Sequence, residues 1–186
     1  MRRVQLILGR IDVKRFIVAV TLTAIAGSIA AHAQSAGDSA IPIVLLDSTG
    51  KIAARAVNDT MMLINAHRDV VAPAFIRPVY DGEGRAVSGI ATWTADGSVL
   101  FTSADCTSGG HVFSSPHAGV RATNQVETPN GIVLYVGAVG SARTASIRSI
   151  LYASGCASVT VRQNGLIPVD MTVNLTTSYP PPLSLQ

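Results

Sequence analysis

Short apolar segments separated by turn-forming clusters constrain this chain more than any other feature. From residue 41 to residue 175 the segments are 5 to 8 residues long and rich in Val, Ile, Leu, Phe and Tyr, and clusters of Asp, Asn, Gly, Pro and Ser separate them about every ten residues. Segments this short, with such punctuation, are typical of strands and turns. The pattern predicts an all-β fold: an antiparallel sandwich or barrel of about ten short strands, with at most one short helix.

Glycine-containing turns mark the predicted strand boundaries. Asp47-Ser48-Thr49-Gly50 and Asp81-Gly82-Glu83-Gly84 each end in a glycine, which tolerates the positive φ that tight hairpins require. Asn164-Gly165 predicts a further turn, between separate strands at Ala157–Arg162 and Val169–Leu175.

One segment fits two assignments. In Thr144–Ala153, residues Ile147, Ile150 and Leu151 recur at helical spacing, whereas the isoleucine and tyrosine content is that of a strand. Both assignments stay open at the level of sequence.

The first 33 residues have the layout of a secretory signal peptide. Five basic residues within Met1–Arg15 precede the uncharged run Phe16–Ala30, and Ala31-His32-Ala33 supplies small residues before a cleavage site at Gln34. As a helix, the apolar run spans about 22 Å, which is shorter than the bilayer core of about 30 Å. We therefore expect a bacterial-type exported protein, periplasmic or secreted, with no stable membrane anchor after cleavage.

The remaining chain divides into three predicted parts. Residues 34–40 form a small, polar, flexible leader, residues 41–177 form a single β-rich domain, and residues 178–186 form a proline-rich C-terminal tail. A domain of this length buries most of its apolar surface.

Charge after cleavage argues against a nucleic-acid partner. The chain from Gln34 onward carries 9 basic and 10 acidic residues, so the basic character of the whole sequence belongs to the predicted signal peptide, residues 1–33. Its arginines occur singly along the sequence, without the clusters that follow a phosphate backbone.

Two cysteines predict one disulfide. Cys106 and Cys156 both follow the predicted cleavage site, and an even number of cysteines in an oxidising compartment favours a bridge between them. A zinc site is not expected, because the sequence has neither a CxxC motif nor paired histidines.

The densest polar cluster is Thr102–Cys106, followed by His111 and His117. Asp105 and the two histidines would make a metal site, or Ser103 would lie near a histidine base. We favour a turn beside a structural disulfide, because His-x5-His in a Gly/Ser/Pro-rich loop has no fixed ligand geometry. His67-Arg68-Asp69 is likewise interpreted as a solvated turn, since adjacent side chains point in diverging directions.

Aromatic residues offer one candidate ligand platform. Tyr80 and Trp93 flank the Asp81–Gly84 turn and form the pair predicted to present exposed rings. The sequence contains no nucleophile elbow, metalloprotease motif, P-loop or complete dinucleotide fingerprint, so it predicts no catalytic residue, no metal and no cofactor.

Several stretches together resemble a group of uncharacterised exported bacterial β-rich domains. They are Val44–Lys51 with its Asp-x-x-Gly-Lys ending, Phe101–Cys106 (FTSADC), Leu134-Tyr135, Cys156 about 50 residues later, and Val169-Asp170 before a proline-rich end. The resemblance covers nearly all of residues 41–186. It implies a β-rich module, in some members appended to collagen-like or fibre-like stalks, and no activity. This chain has no Gly-x-y stalk, which implies a free-standing module.

These observations lead to one functional expectation and one alternative. We expect an exported structural or binding module that is not an enzyme, with an extracellular or periplasmic partner of unspecified chemistry and with homo-oligomerisation open. The alternative is a secreted hydrolase whose site is assembled from scattered residues.

Overall fold

A β-barrel and a second β-sheet make up the part of the chain that the structure describes. This structure is a computed structural model and describes residues 43–67, 70–115 and 120–186. The predicted signal peptide and flexible leader lie outside these residues. The strands are β1 (Val44–Leu46), β2 (Ile52–Ala56), β3 (Met61–His67), β4 (Val70–Tyr80), β5 (Ala86–Trp93), β6 (Val99–Phe101), β7 (Gly110–Phe113), β8 (Thr123–Thr128), β9 (Gly131–Gly137), β10 (Arg143–Tyr152), β11 (Gly155–Asn174) and β12 (Leu183–Leu185), and the helical turn α1 is Leu175–Ser178. The predicted all-β class is confirmed.

Six strands close the barrel in the order β1-β12-β5-β4-β3-β2, with antiparallel pairing throughout. A barrel of so few strands is narrow. Its interior accordingly combines five buried alanines with a few large side chains, and its core consists of Leu45, Ala53, Ala54, Met62, Ile64, Ala72, Ala74, Ile76, Ala91, Trp93 and Leu183, together with four residues from outside the barrel strands.

The β1–β2 hairpin forms at the predicted Asp47–Gly50 turn. The Asp47 carboxylate accepts hydrogen bonds from the Thr49 hydroxyl (2.6 Å) and from the N–H groups of Thr49 and Lys51. Gly50 has a φ of +82°, as such a turn requires. The hydrogen bond from the Thr49 side chain is the main reason why the pKa of Asp47 is lowered. Asp81 and Gly84 (φ +77°) build the β4–β5 turn in the same way.

The predicted C-terminal tail is instead part of the barrel. Strand β12 pairs with β1 on one side, through Leu45 and Leu185, and with β5 on the other, through Leu183 and Ala91. The prolines at 180–182 exclude a helix, as expected, but they connect α1 to a strand that closes the barrel. The predicted boundary at residue 177 is therefore wrong.

The second sheet has the order β10-β6-β7-β11-β9-β8, and β10 also pairs with β11. Thr144–Ala153, left open between helix and strand, lies almost wholly in strand β10. Strand β11 runs through Asn164-Gly165, so the turn predicted there is wrong. Gly165 (φ +75°) instead lies in a bulge, where three residues of β11 span two of β10.

The disulfide joins the β6–β7 loop to the start of β11. Cys106 and Cys156 are bonded, with their Cα atoms 5.9 Å apart. Cys106 has a φ of +58°, and its N–H donates to Ser149 Oγ, whose hydroxyl in turn donates to the carbonyl of Ser103. The bridge and the fully buried Ser149 thus fix the loop against β10.

We expect Leu183→Ala to lower the free energy of unfolding by about 2–5 kcal/mol, the usual loss for a leucine removed from a packed core. Leu183 is fully buried in the barrel. Denaturant titration measures the effect, with the exposed Val87→Ala on neighbouring β5 as control. A change no larger than that of the control would mean that residues 183–185 do not close the barrel.

We expect Cys106→Ser/Cys156→Ser to lower the melting temperature markedly, because the bridge closes a long loop whose constraint is worth about 4 kcal/mol on the chain-entropy model. Calorimetry with and without reductant checks this. Reductant should destabilise the wild type and leave the double variant unchanged. Equal melting of oxidised and reduced wild type would contradict the prediction.

Candidate functional site

The polar cluster predicted at Thr102–Cys106 forms a closed turn. Ser103 Oγ accepts hydrogen bonds from the N–H groups of Thr107 and Ser108. The Asp105 carboxylate accepts a 2.7 Å hydrogen bond from the Thr107 hydroxyl, and this bond, followed by one involving Ser103, lowers the pKa of Asp105. Both side chains thus hydrogen-bond within the loop and fix the conformation of the turn.

The described structure places His111 but does not test the predicted pairing of His111 with His117. His111 is 5 % exposed, and its Nδ1 lies 2.8 Å from the carbonyl oxygen of Gly109. His117, Arg68 and Asp69 lie outside the described residues. Within residues 43–67, 70–115 and 120–186, no three His, Cys, Asp or Glu side chains come together as metal ligands would.

The predicted Tyr80–Trp93 platform is wrong. Trp93 is 3 % exposed, lies in the barrel core and donates its indole N–H to the carbonyl of Tyr179 at 2.9 Å. Tyr80 is exposed, but it pairs with Ala86, whereas Trp93 pairs with Ile76 at the other end of the β4–β5 ladder. Ala91 and Trp93 are the inward positions of the alternation along β5, and the Trp93 indole packs in the barrel core.

A cleft between the barrel and the second sheet is the candidate functional site. Its volume is about 380 Å³. The barrel side supplies residues from the β2–β3 turn, from β4 and from the chain after β5, and the other side supplies residues around β7 and β8. The lining includes Thr60, Asp96, Phe113, Arg121 and Asn124.

Gln125 lies beneath the cleft and contacts two of its lining residues, Phe75 and Asp96. It is fully buried on β8, and its side-chain amide donates to the carbonyls of Phe75 (3.0 Å) and Thr94 (2.8 Å) and accepts from the N–H of Phe75. Its backbone N–H donates to the Asp96 carboxylate at 2.7 Å. Gln125 therefore joins β8 to the barrel and orients Asp96.

Hydrogen-bond acceptors dominate the polar lining. Asp96 uses one carboxylate oxygen for Gln125, and burial of the carboxyl group, only partly offset by that bond, raises its pKa even though the residue keeps an exposed surface. Asn124 donates its amide to the carbonyl of Ser98, and no described residue donates to its Oδ1. Arg121 does not add a free charge, because it forms a 2.6 Å ion pair with Asp170.

An aromatic ring borders the same cleft. Phe113 ends strand β7, pairs with Leu166 of β11 and is 46 % exposed, so its side chain is accessible at the cleft. The cleft thus places an apolar surface beside the carboxylate of Asp96 and the side-chain amide of Asn124.

Sequence reasoning missed this site. The sequence patterns single out neither Asp96 nor Phe113, and Gln125 belongs to no motif. The only signal was local: Phe113 precedes Ser114-Ser115-Pro116, where a strand ends, so its ring lies at a strand terminus.

Comparisons with known proteins found no match: no family model, no curated protein and no solved structure is significantly similar to this chain. Within the described residues, no helix combines the length and the apolar character needed to cross a bilayer.

We expect Asp96→Asn to raise the melting temperature at pH 7. The folded state raises the pKa of Asp96, so its contribution to stability is present below the unfolded pKa and is lost as pH rises through the folded pKa. Asparagine keeps the acceptor for Gln125 without the ionised charge. Thermal melts from pH 3 to pH 8 should show a small gain that disappears at low pH, while the exposed Asp59→Asn control shows none. A gain that is the same at every pH would contradict this origin.

Proposed function

We propose that this protein is an exported binding module, not an enzyme, and that the cleft between the barrel and the second sheet takes a neutral saccharide. The observation that carries the proposal is the pairing of an exposed aromatic ring, Phe113, with the acceptor oxygens of Asp96 and Asn124 in one cleft.

A saccharide matches both halves of this lining. Its hydroxyl groups donate hydrogen bonds to carboxylate and amide oxygens, and its C–H faces stack on aromatic rings. A strongly anionic ligand is disfavoured here because Asp96 lies in the cleft and Arg121 is already paired with Asp170. Thr60 adds a hydroxyl at the barrel edge.

Binding is favoured over hydrolysis by the number of carboxylates. Glycoside hydrolysis uses two carboxyl groups on either side of the scissile bond, and among the described residues lining the cleft only Asp96 supplies one. The second candidate function, a secreted hydrolase, is favoured by one observation, the raised pKa of Asp96, which is typical of a general acid.

Two features support export. Residues 1–33 have the charge and apolar pattern of a signal peptide, and disulfides such as Cys106–Cys156 persist in oxidising compartments. We therefore place the binding activity in the periplasm or outside the cell.

The test is calorimetric titration of residues 34–186 with cello-, malto-, chito- and mannopentaose. We expect at least one of these probes to bind, and Phe113→Ala to weaken its binding at least tenfold because the stacking surface is lost. Tyr80→Ala is the matched control, since Tyr80 is an exposed ring on the barrel away from the cleft.

Three outcomes would reject the proposal. They are no binding of any probe, binding that survives Phe113→Ala, and equal losses in the Phe113 and Tyr80 variants. Shortening of a bound pentaose, followed by chromatography and abolished by Asp96→Asn, would establish the hydrolase instead.

A further inference from the structure

Basic and acidic residues are unevenly distributed along the chain, and one basic stretch lies outside the cleft. Residues 128–169 contain three arginines, Arg143, Arg148 and Arg162, and not one Asp or Glu. All three arginines lie on the β10–β11 ribbon and are exposed. None of the described carboxylates forms an ion pair with these three arginines, whereas Arg85 and Arg121 each form ion pairs with acidic residues.

The strand geometry places two of these arginines, Arg148 and Arg162, on one outward face. Along β10, Ile147 and Ser149 are buried, whereas Thr144, Ser146 and Arg148 alternate with inward positions and are exposed. Successive outward side chains of a strand are about 6.6 Å apart. Arg162 lies directly opposite Ser146 on β11 and therefore shares its face.

A groove runs beside this face. It has a volume of about 690 Å³ and is largely open to solvent. One wall is β10, with Arg143, Thr144, Ser146 and Arg148, and the other wall includes Thr102, Gly109, Gly110 and His111 of the β6–β7 hairpin.

The second wall is fixed and carries few side chains. A Cβ atom at Gly109 would lie 1.9 Å from Thr102 Oγ1, and Gly109 has a φ of +66°, so only glycine fits there. The Cys106–Cys156 bond ties the same loop to β11. The groove is thus held in shape before any ligand arrives, which reduces the entropy cost of binding.

The lining selects a class of ligand. Guanidinium groups bind carboxylates and sulfates through two parallel hydrogen bonds, and neighbouring hydroxyls add donors and acceptors. No Phe, Tyr or Trp is among the described residues that line the groove, and the one aromatic ring there, that of His111, is buried. The exposed stacking platforms used for nucleobases are therefore missing from these residues.

From these observations we infer that the groove between β10 and the β6–β7 hairpin is a second binding site, and that it takes an acidic polysaccharide, whose carboxylate or sulfate groups pair with Arg143 and Arg148. The site shares no residue with the saccharide cleft, so each is tested by its own variants.

The experiment is biolayer interferometry of residues 34–186 on immobilised polygalacturonate and dextran sulfate, with uncharged dextran as blank. We expect binding at 50 mM NaCl that weakens steeply by 500 mM, since the contacts are ionic. Arg143→Ala/Arg148→Ala should weaken it at least tenfold. Stronger binding to polygalacturonate identifies carboxylate as the preferred group, and stronger binding to dextran sulfate identifies sulfate.

The matched control is Arg55→Ala/Arg77→Ala, which removes the same charge from exposed positions on the barrel. Near-wild-type binding by this control, together with loss in the groove variant, supports the inference. Equal loss of binding in both variants would show that only net charge matters and would overturn the inference. Absence of binding to both polyanions would also overturn it. Tighter binding to a 20-base-pair DNA duplex than to either polysaccharide would also overturn it.

Discussion

The buried amide of Gln125 is the contact on which the arrangement of the barrel and the second sheet depends. This side chain hydrogen-bonds to the backbone N–H and carbonyl of Phe75 and to the carbonyl of Thr94. The backbone N–H of Gln125 donates to the Asp96 carboxylate. Leaving a buried polar group unpaired costs about 1–3 kcal/mol. A shift of β8 along β4 by one residue would orphan these groups, so the contact selects a single register and sets the floor of the candidate cleft.

Apolar packing between the barrel and the second sheet adds to the contact made by Gln125. Leu134 and Val136 of β9 and Leu175 of α1 are fully buried in the same cluster as the barrel interior, so the second sheet and the helical turn cover the barrel. Tyr179 extends this cover, accepting the Trp93 indole N–H with its carbonyl and donating its hydroxyl to the carbonyl of Asn65. The chain then returns into the barrel as β12, which makes closure depend on residues at both ends of the domain.

The two proposed sites are complementary in chemistry because of how charge is distributed. In the cleft, Asp96 and Asn124 present acceptors beside Phe113, while the one arginine present is paired with Asp170. In the groove, Arg143 and Arg148 present donors without a described carboxylate partner. In a polysaccharide that contains both kinds of sugar, the neutral sugars match the proposed cleft and the acidic sugars match the proposed groove.

Local chemistry determined the all-β class and the hairpin turns. Asp47 and Gly50 specify a turn through bonds within five residues, and short segments bounded by such turns specify strands. Only the tertiary structure decided whether Trp93 faces solvent or core, whether residues 183–185 form a tail or a strand, and whether Asn164-Gly165 is a turn or a bulge. Each of these depends on a partner far along the chain: Tyr179 for Trp93, Leu45 for Leu185 and Arg143 for Leu166. Alternation and turn residues carry no information about distant partners, so the cleft, built from segments up to about 65 residues apart, emerged only with the fold.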